Sequence, residues 1–283
     1  MSGYLETGLS ELSCLFWNVR GSDRTELICE LVNEHSADII VLVEPPKKDD
    51  LLMVLQERES SSFFIPDADT ERLRVLARDP ELSMREVYGT TTGRMTIRSL
   101  RCFEEEFLFV AMHIPSRASN WTEDDQTAEL TQLCEALRAE EDRRGHRRTL
   151  LVGDLNMNPF DNGIMQTTGL HAAMTRQTAE AGHRVVQENA YPYFYNPMWG
   201  FFGDRTSGPP GTHYYRGKHI SYDWNIYDQV LVRPDAIPWF DDRIEIVHRI
   251  GGTNLLTRNG RPNPSVGSDH LPLSFGLKQL SEE

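Results

Sequence analysis

Basic residues are scarce in this chain: 29 lysines and arginines stand against 43 aspartates and glutamates, a net charge of −14. Such a deficit argues against gripping duplex nucleic acid through a broad basic face, because that mode needs cationic side chains to displace counterions from phosphates. It leaves phosphate-ester substrates open, since clustered carboxylates hold divalent cations that cancel the charge locally. Cysteine is scarce too. Cys14, Cys29, Cys102 and Cys134 are scattered with no Cys-x-x-Cys pair, so they read as reduced core or near-core residues. No apolar run approaches the length of a transmembrane helix. The opening stretch Met1–Glu6 carries neither the basic region nor the apolar stretch of a secretion signal, so the expectation is a cytoplasmic protein without a membrane anchor. With no repeat, low-complexity tract or clear linker, residues 1–283 read as one domain.

What the chain does have is a set of apolar runs that each stop on a polar residue. Leu12 to Val19 reads as a buried strand ending around Asn18. Asp23-Arg24-Thr25-Glu26 then reads as a helix cap, followed by Leu27, Ile28, Leu31 and Val32 at helical spacing. Asp38 to Val43 is a second strand, stopped by Glu44-Pro45-Pro46 because proline cannot continue a ladder. Arg72 to Ala77, Met95 to Leu100 and Phe107 to Met112 read as short strands in antiparallel pairing. Thr122-Glu123-Asp124-Asp125 caps a long helix that ends at Arg143-Arg144-Gly145. Thr149 to Gly153, Asn225 to Val232 and Leu271 to Leu277 complete the strands. Many short strands with a few helices predict a layered α+β fold.

The polar residues at the strand ends share one kind of chemistry. In Gly153-Asp154-Leu155-Asn156, alternation puts Asp154 and Asn156 on one side of the chain if strand geometry persists. A carboxylate beside an amide suits a site that orients a water and holds a phosphate oxygen, although a turn rich in Asp, Asn and Pro has the same composition. Asn18, Glu44 and Asp269 offer oxygen ligands, which suit Mg²⁺ or Mn²⁺ better than zinc. His113 and His270 add two imidazoles. Asp228 lies inside the apolar run Ile226–Val232, where an unpartnered carboxylate is costly; holding His270 in one tautomer would supply its partner. Each residue alone reads as a satisfied polar group or a turn. Their joint occurrence at successive strand ends points to an active site.

In chain order, Phe16-Trp17-Asn18-Val19, Val43-Glu44, Met112-His113-Ile114-Pro115-Ser116, Gly153-Asp154-Leu155-Asn156, Tyr227-Asp228-Gln229-Val230 and Ser268-Asp269-His270-Leu271-Pro272 resemble the motifs of the endonuclease/exonuclease/phosphatase superfamily, the DNase I-like phosphoesterases. The resemblance implies a four-layer α/β/β/α sandwich of two packed mixed sheets flanked by helices, with the site at one end. It also implies roles. Glu44 is then the principal Mg²⁺ ligand, with Asn18 and Asp269 near the same ion. Asp154 orients or deprotonates the attacking water, and Asn156 holds a non-bridging oxygen. His270, paired with Asp228, stabilises the transition state or acts as acid or base. His113 stands where the family has His or Tyr.

The substrate is less well written. Tyr191 to Lys218 interleaves aromatic residues with Arg205, Arg216 and Lys218. Arg205, Tyr214 and Arg216 are candidate substrate contacts of the kind single-strand binders use; the plainer reading is a loop pinned to the sandwich by its aromatics. The favoured function is a Mg²⁺-dependent nuclease, endo- or exo-acting. The alternative is hydrolysis of a small-molecule, inositol- or lipid-type phosphate, without a membrane-binding helix or basic patch to support the lipid case. A silent binding module ranks last, since every catalytic position is filled. No protein partner is inferable.

Overall fold

The computed structural model describes residues 9–48, 50–58, 63–67, 70–78, 82–217, 219 and 221–280. Met1–Glu6 and Lys218, both used in reading the sequence, lie outside them. Strand β1 (Glu11–Asn18) and strand β2 (Ile39–Val43) run parallel, joined through helix α1 (Thr25–His35). Helix α2 (Leu51–Arg58) leads on towards strand β3 (Leu73–Ala77), antiparallel to β2. On the other side of β1 the chain returns as the antiparallel strands Leu273–Lys278 and Phe240–Ile246, completing a five-stranded sheet.

The second sheet has seven strands. Strands β4 (Ser83–Gly89), β5 (Met95–Cys102) and β6 (Glu105–His113) form an antiparallel meander. Helix α3 (Glu123–Arg144) then crosses to strand β7 (Thr149–Asp154), parallel to β6. The strands Asp228–Val232, Phe194–Tyr195 and Ala172–Ala173 extend the sheet beyond β7.

Alternation along the strands explains the layers. On β6, β7 and the Asp228–Val232 strand, Phe107, Phe109, Ala111, Leu150, Val152, Val230 and Val232 join β1 and β2 in the core between the sheets. The alternate residues Leu108, Val110, Met112, Leu151 and Leu231 meet Leu130, Leu133 and Leu137 of α3 instead. Ile28, Leu31 and Val32 of α1 pack against the first sheet from outside. The result is the α/β/β/α sandwich of two mixed sheets. All four cysteines are buried thiols, and burial pushes the Cys102 and Cys134 thiols up to about 12, which keeps them unreactive. Among the described residues no helix is long and apolar enough to cross a membrane.

The capping box expected at the start of α3 is present, with Thr122 and Asp125 bonding reciprocally, and Gly145 closes the helix in a left-handed conformation. The start of α1 differs. Arg24 is its N-cap and makes no side-chain cap; Asp23 Oδ1 accepts instead from the Thr25 N–H at 3.0 Å and the Thr25 hydroxyl at 2.8 Å. The strand expected over Asn225 to Val232 is interrupted at Ile226-Tyr227, because the Asn158 side chain claims the Ile226 N–H at 2.9 Å. Helix α2 and strand β4 carry no strong periodicity and were not anticipated.

Candidate active site

The strand registers bring the polar ends together. On the first sheet Asn18 pairs with Val43, so Glu44 lies one residue beyond it. On the second, His113 pairs with Asp154 and Asp154 with Asp228, a row of three polar residues across three neighbouring strands. Gly153 permits this row: a Cβ there would sit 2.3 Å from the Met112 carbonyl oxygen, so only glycine lets β6 and β7 approach just before their polar ends. The two sheets are joined across the site, where Asn18 Nδ2 donates to Asp154 Oδ2 at 2.8 Å and His113 Nε2 lies 3.6 Å from Glu44 Oε1.

Asp154 and Asn156 meet by a different route from strand alternation. Strand β7 ends at Asp154, and Asn156 has a φ of +48°, a left-handed conformation that asparagine tolerates better than most residues. The turn lets the Asn156 backbone N–H donate to Asp154 Oδ1 at 3.0 Å, while Asn156 Nδ2 donates to the Ile114 carbonyl at 2.9 Å. Among the described residues, one amide hydrogen and the amide oxygen of Asn156 have no partner. Glu44 also has a positive φ, +48°. Strained conformations of this kind persist where the surrounding structure holds them.

His270 sits among carboxylates. Its Nδ1 is 2.8 Å from Asp228 Oδ2, and its Nε2 is 3.9 Å from Asp154 Oδ2. Burial opposes its charge, but Asp228, Asp154 and Asp269 together with the Asp228 hydrogen bond hold the imidazolium, with a pKa of about 10. Trp17 Nε1 donates to the His270 carbonyl at 2.9 Å and fixes the backbone. Asp269 is also paired with Arg20, at 3.0 Å. His113 is neutral by contrast: burial lowers its pKa, and Asp154 and Glu44 only partly offset that.

One residue of the site was not anticipated. His213 forms an isolated bridge with His270, their rings 4.7 Å apart, and its other face stacks on Tyr227 at 5.2 Å. Burial and the neighbouring His270 charge pull its pKa down to about 4, so a neutral imidazole lies against a charged one. The signal in the sequence was the short run His213-Tyr214-Tyr215, which pairs with Asp223-Trp224-Asn225 as a small hairpin.

Of the three candidate substrate contacts, Tyr214 lies on the small hairpin and Arg216 follows it directly. Arg205 lies in the exposed run 203–208. Tyr214 is packed edge-on against Trp224 and lies beneath Arg261, 4.3 Å from its guanidinium. Arg216 is exposed and 3.7 Å from Asp223.

The donor set can be tested for a cation. Ligand atoms of Asp154, Asp228 and His270 lie within 4.8 Å of one another, yet a metal needs a neutral imidazole. An imidazolium bonded to Asp228 offers no lone pair, so a cation held by this trio would have to displace the His270 proton. Glu44 fits better. Its side chain is 45% exposed and its side-chain partner among the described residues is His113; one register position away, Asn18 Oδ1 accepts from the Arg20 N–H at 2.9 Å, and carboxylate and amide oxygens are the hard donors that Mg²⁺-type ions select.

Replacing Asp228 with asparagine removes the largest influence favouring the imidazolium, so the His270 pKa should fall well below about 10. A raised folded-state pKa stabilises the fold fully below the unfolded imidazole value of about 6.5 and loses that contribution as pH rises through the folded value. The wild type should therefore lose stability between about 6.5 and about 10, and Asp228→Asn should lose this pH dependence. Imidazole NMR titration and denaturation midpoints, both with a chelator present, read the two effects. An unmoved His270 resonance would show that Asp228 does not hold the charge.

The model of the Endonuclease/Exonuclease/phosphatase family matches residues 15–270. No curated protein matches the sequence. Among solved structures, a family protein from Bacteroides thetaiotaomicron is similar with a TM-score of 0.61 at 13% identity, covering 96% of this chain and 99% of that one. The endonuclease domain of TRAS1, a telomere-specific non-LTR retrotransposon, gives 0.55 at 15% identity, covering 96% and 100%. D. rerio TDP2 complexed with a single-strand DNA product gives 0.54 at 15% identity, covering 95% and 100%. At these identities the likeness is one of fold.

Proposed function

Because the chain belongs to the endonuclease/exonuclease/phosphatase family and is thus a phosphoesterase, we propose that it hydrolyses phosphodiester bonds of nucleic acid with a divalent cation, Mg²⁺ foremost. The observation that carries the reading is His270, a charged imidazole wedged between Asp228 and Asp154 at the end of the strand row. A cation held by Glu44 and Asn18, with Asp269 near, supplies positive charge to the phosphoryl oxygens when bound.

The chain's own residues divide the remaining work. Asp154 already accepts from Asn18 and Asn156, so its position is fixed and it orients the attacking water. Asn156 donates its remaining amide hydrogen to a non-bridging oxygen. His270 faces the developing negative charge and carries a proton for the leaving oxygen, with Asp228 keeping Nδ1 protonated. Neutral His113 donates or accepts beside Glu44. Single-strand DNA in the TDP2 complex supports a nucleic-acid substrate. We read the two sheets as one domain, and the four buried thiols as fitting the cytoplasm.

The test is a panel of single-stranded DNA, duplex DNA, RNA and small phosphate mono- and diesters, incubated with Mg²⁺ or Mn²⁺ and, in parallel, with chelator. Metal-dependent cleavage of a nucleic acid is expected. Cleavage of the small esters alone would overturn the substrate assignment, and full activity in chelator would overturn the metal.

A further inference from the structure

Four aromatic rings from three separate segments meet in one cluster. Phe160 lies 4.9 Å from Tyr222, edge-on, 5.7 Å from Phe202 and 6.2 Å from Trp199, and Trp199 and Phe202 are 6.0 Å apart. Register fixes where they are. Asp154 and Asp228 are partners across adjoining strands; Phe160 comes six residues after the first and Tyr222 six residues before the second. The two segments leave the site together and meet again at these rings, within about 20 Å of Asp154 by extended chain length. Asn158 braces them on the way, its Nδ2 donating to Asn225 Oδ1 and its Oδ1 accepting from the Ile226 N–H, both at 2.9 Å.

A cluster that served only packing would bury its rings. Here Tyr222 is 61% exposed, and Phe160, Trp199 and Phe202 are half-buried. The Trp199 indole N–H is buried with no acceptor among the described residues, an arrangement folded proteins avoid. Other aromatics of the same stretch are already occupied: Tyr193 stacks on His171, Phe194 lies beneath Arg233 and Tyr195 beneath Arg176. Those three pin the segment to the sandwich. The Phe160 cluster has a free face.

We infer that this cluster is a stacking site for an unpaired nucleobase flanking the scissile phosphate. The inference rests on the nucleic-acid reading above and narrows it to strands or nucleotides whose bases are not paired. Charge favours the same ligand. A protein with a net charge of −14 gains little from the phosphate backbone beyond what a bound cation offers, whereas base–aromatic stacking needs no net positive charge and tolerates any base. Duplex DNA keeps its bases stacked on each other and presents no free face to these rings.

Fluorescence anisotropy of a labelled oligothymidylate, with chelator present so that nothing is cut, reads this binding directly. A strand of equal length built from base-free deoxyribose phosphate is the comparison, and unlabelled thymidine monophosphate the competitor. Tyr222→Ala should weaken oligothymidylate binding by about tenfold, within the range a lost stacking partner gives, and Tyr222→Trp should retain it. The base-free strand should bind less well and respond little to either change. Equal weakening of both strands, no weakening, or no measurable binding by the wild type overturns the stacking site. Competition by thymidine monophosphate assigns the site to free nucleotides as well as strands, and its absence assigns it to strands; either result keeps the base as ligand. Cleavage of DNA by a protein whose binding ignores Tyr222 sinks only this inference. Binding that depends on Tyr222 without hydrolysis of any phosphodiester sinks the hydrolase reading and leaves the stacking site standing.

Discussion

His270→Ala and Glu44→Gln should each lower turnover of a cleaved phosphodiester by roughly 10²-fold or more while leaving the fold intact, the loss expected when a charge stabiliser or general acid is removed. The physical case is strongest for His270. Its imidazolium is buried between two carboxylates, so it already carries the positive charge that an attacked phosphate would need. Alanine leaves Asp228 and Asp154 facing each other without the cation that separates them, so the site loses a proton donor and gains repulsion. Glu44 acts through different chemistry. Glutamine keeps its shape and lacks the charge that attracts a divalent ion, so excess Mg²⁺ or Mn²⁺ should recover part of the loss in Glu44→Gln and none in His270→Ala. Steady-state rates on the best substrate across a metal titration, with circular dichroism to confirm folding, measure both. Near-native turnover in either purified variant would remove that residue from the chemistry.

The largest effect on stability is expected far from the site. Arg233 and Glu141 form a fork-to-fork pair, Nε to Oε1 at 2.8 Å and Nη2 to Oε2 at 3.1 Å, and the two residues are 2% and 1% exposed. Arg233 also donates to the Pro192 and Tyr193 carbonyls at 2.9 and 3.1 Å and lies over the Phe194 ring. It thereby ties α3 to the aromatic segment. Arg233→Met should cost up to about 3–5 kcal/mol, because it removes the bidentate partner of the buried Glu141 carboxylate, which keeps the Thr149 hydroxyl at 2.8 Å and Arg147 at 3.6 Å, and frees two backbone carbonyls. Converting both residues together, Arg233→Met with Glu141→Leu, should cost less than Arg233→Met alone, since no buried charge is left behind. Urea denaturation midpoints at constant m-value separate these outcomes. A single variant no less stable than the double would show that the pair is solvated in practice.

The sequence revealed the site where local pattern and tertiary position coincide. Asn18, Glu44, His113 and Asp154 each follow an apolar run, and an apolar run of that length becomes a strand whose end lies at a rim. Asp228 was legible because a carboxylate inside such a run demands a partner. His213 was not, since it enters the site through a bridge to a residue 57 positions away and follows no strand-like run. The Phe160–Tyr222 contact and the Arg233–Glu141 pair were hidden for the same reason: their spacing is set by the topology of the second sheet. Asp154 and Asn156 were rightly grouped on wrong geometry, because a left-handed turn at Asn156 does what continued alternation would have done. Reading Asp23 as the helix cap missed by one residue, where Thr25 captured its carboxylate instead.

The hydrogen bond from Asn18 to Asp154 spans two sheets built from distant parts of the chain, with the carboxylate on one and its donor on the other. A half-assembled sandwich, with either sheet formed and the other undocked, lacks this contact. Under the roles proposed above, hydrolysis would serve as an assembly gauge: it would report that the two layers have closed in register, and a nascent chain still short of the C-terminal strands of the first sheet would lack that closure.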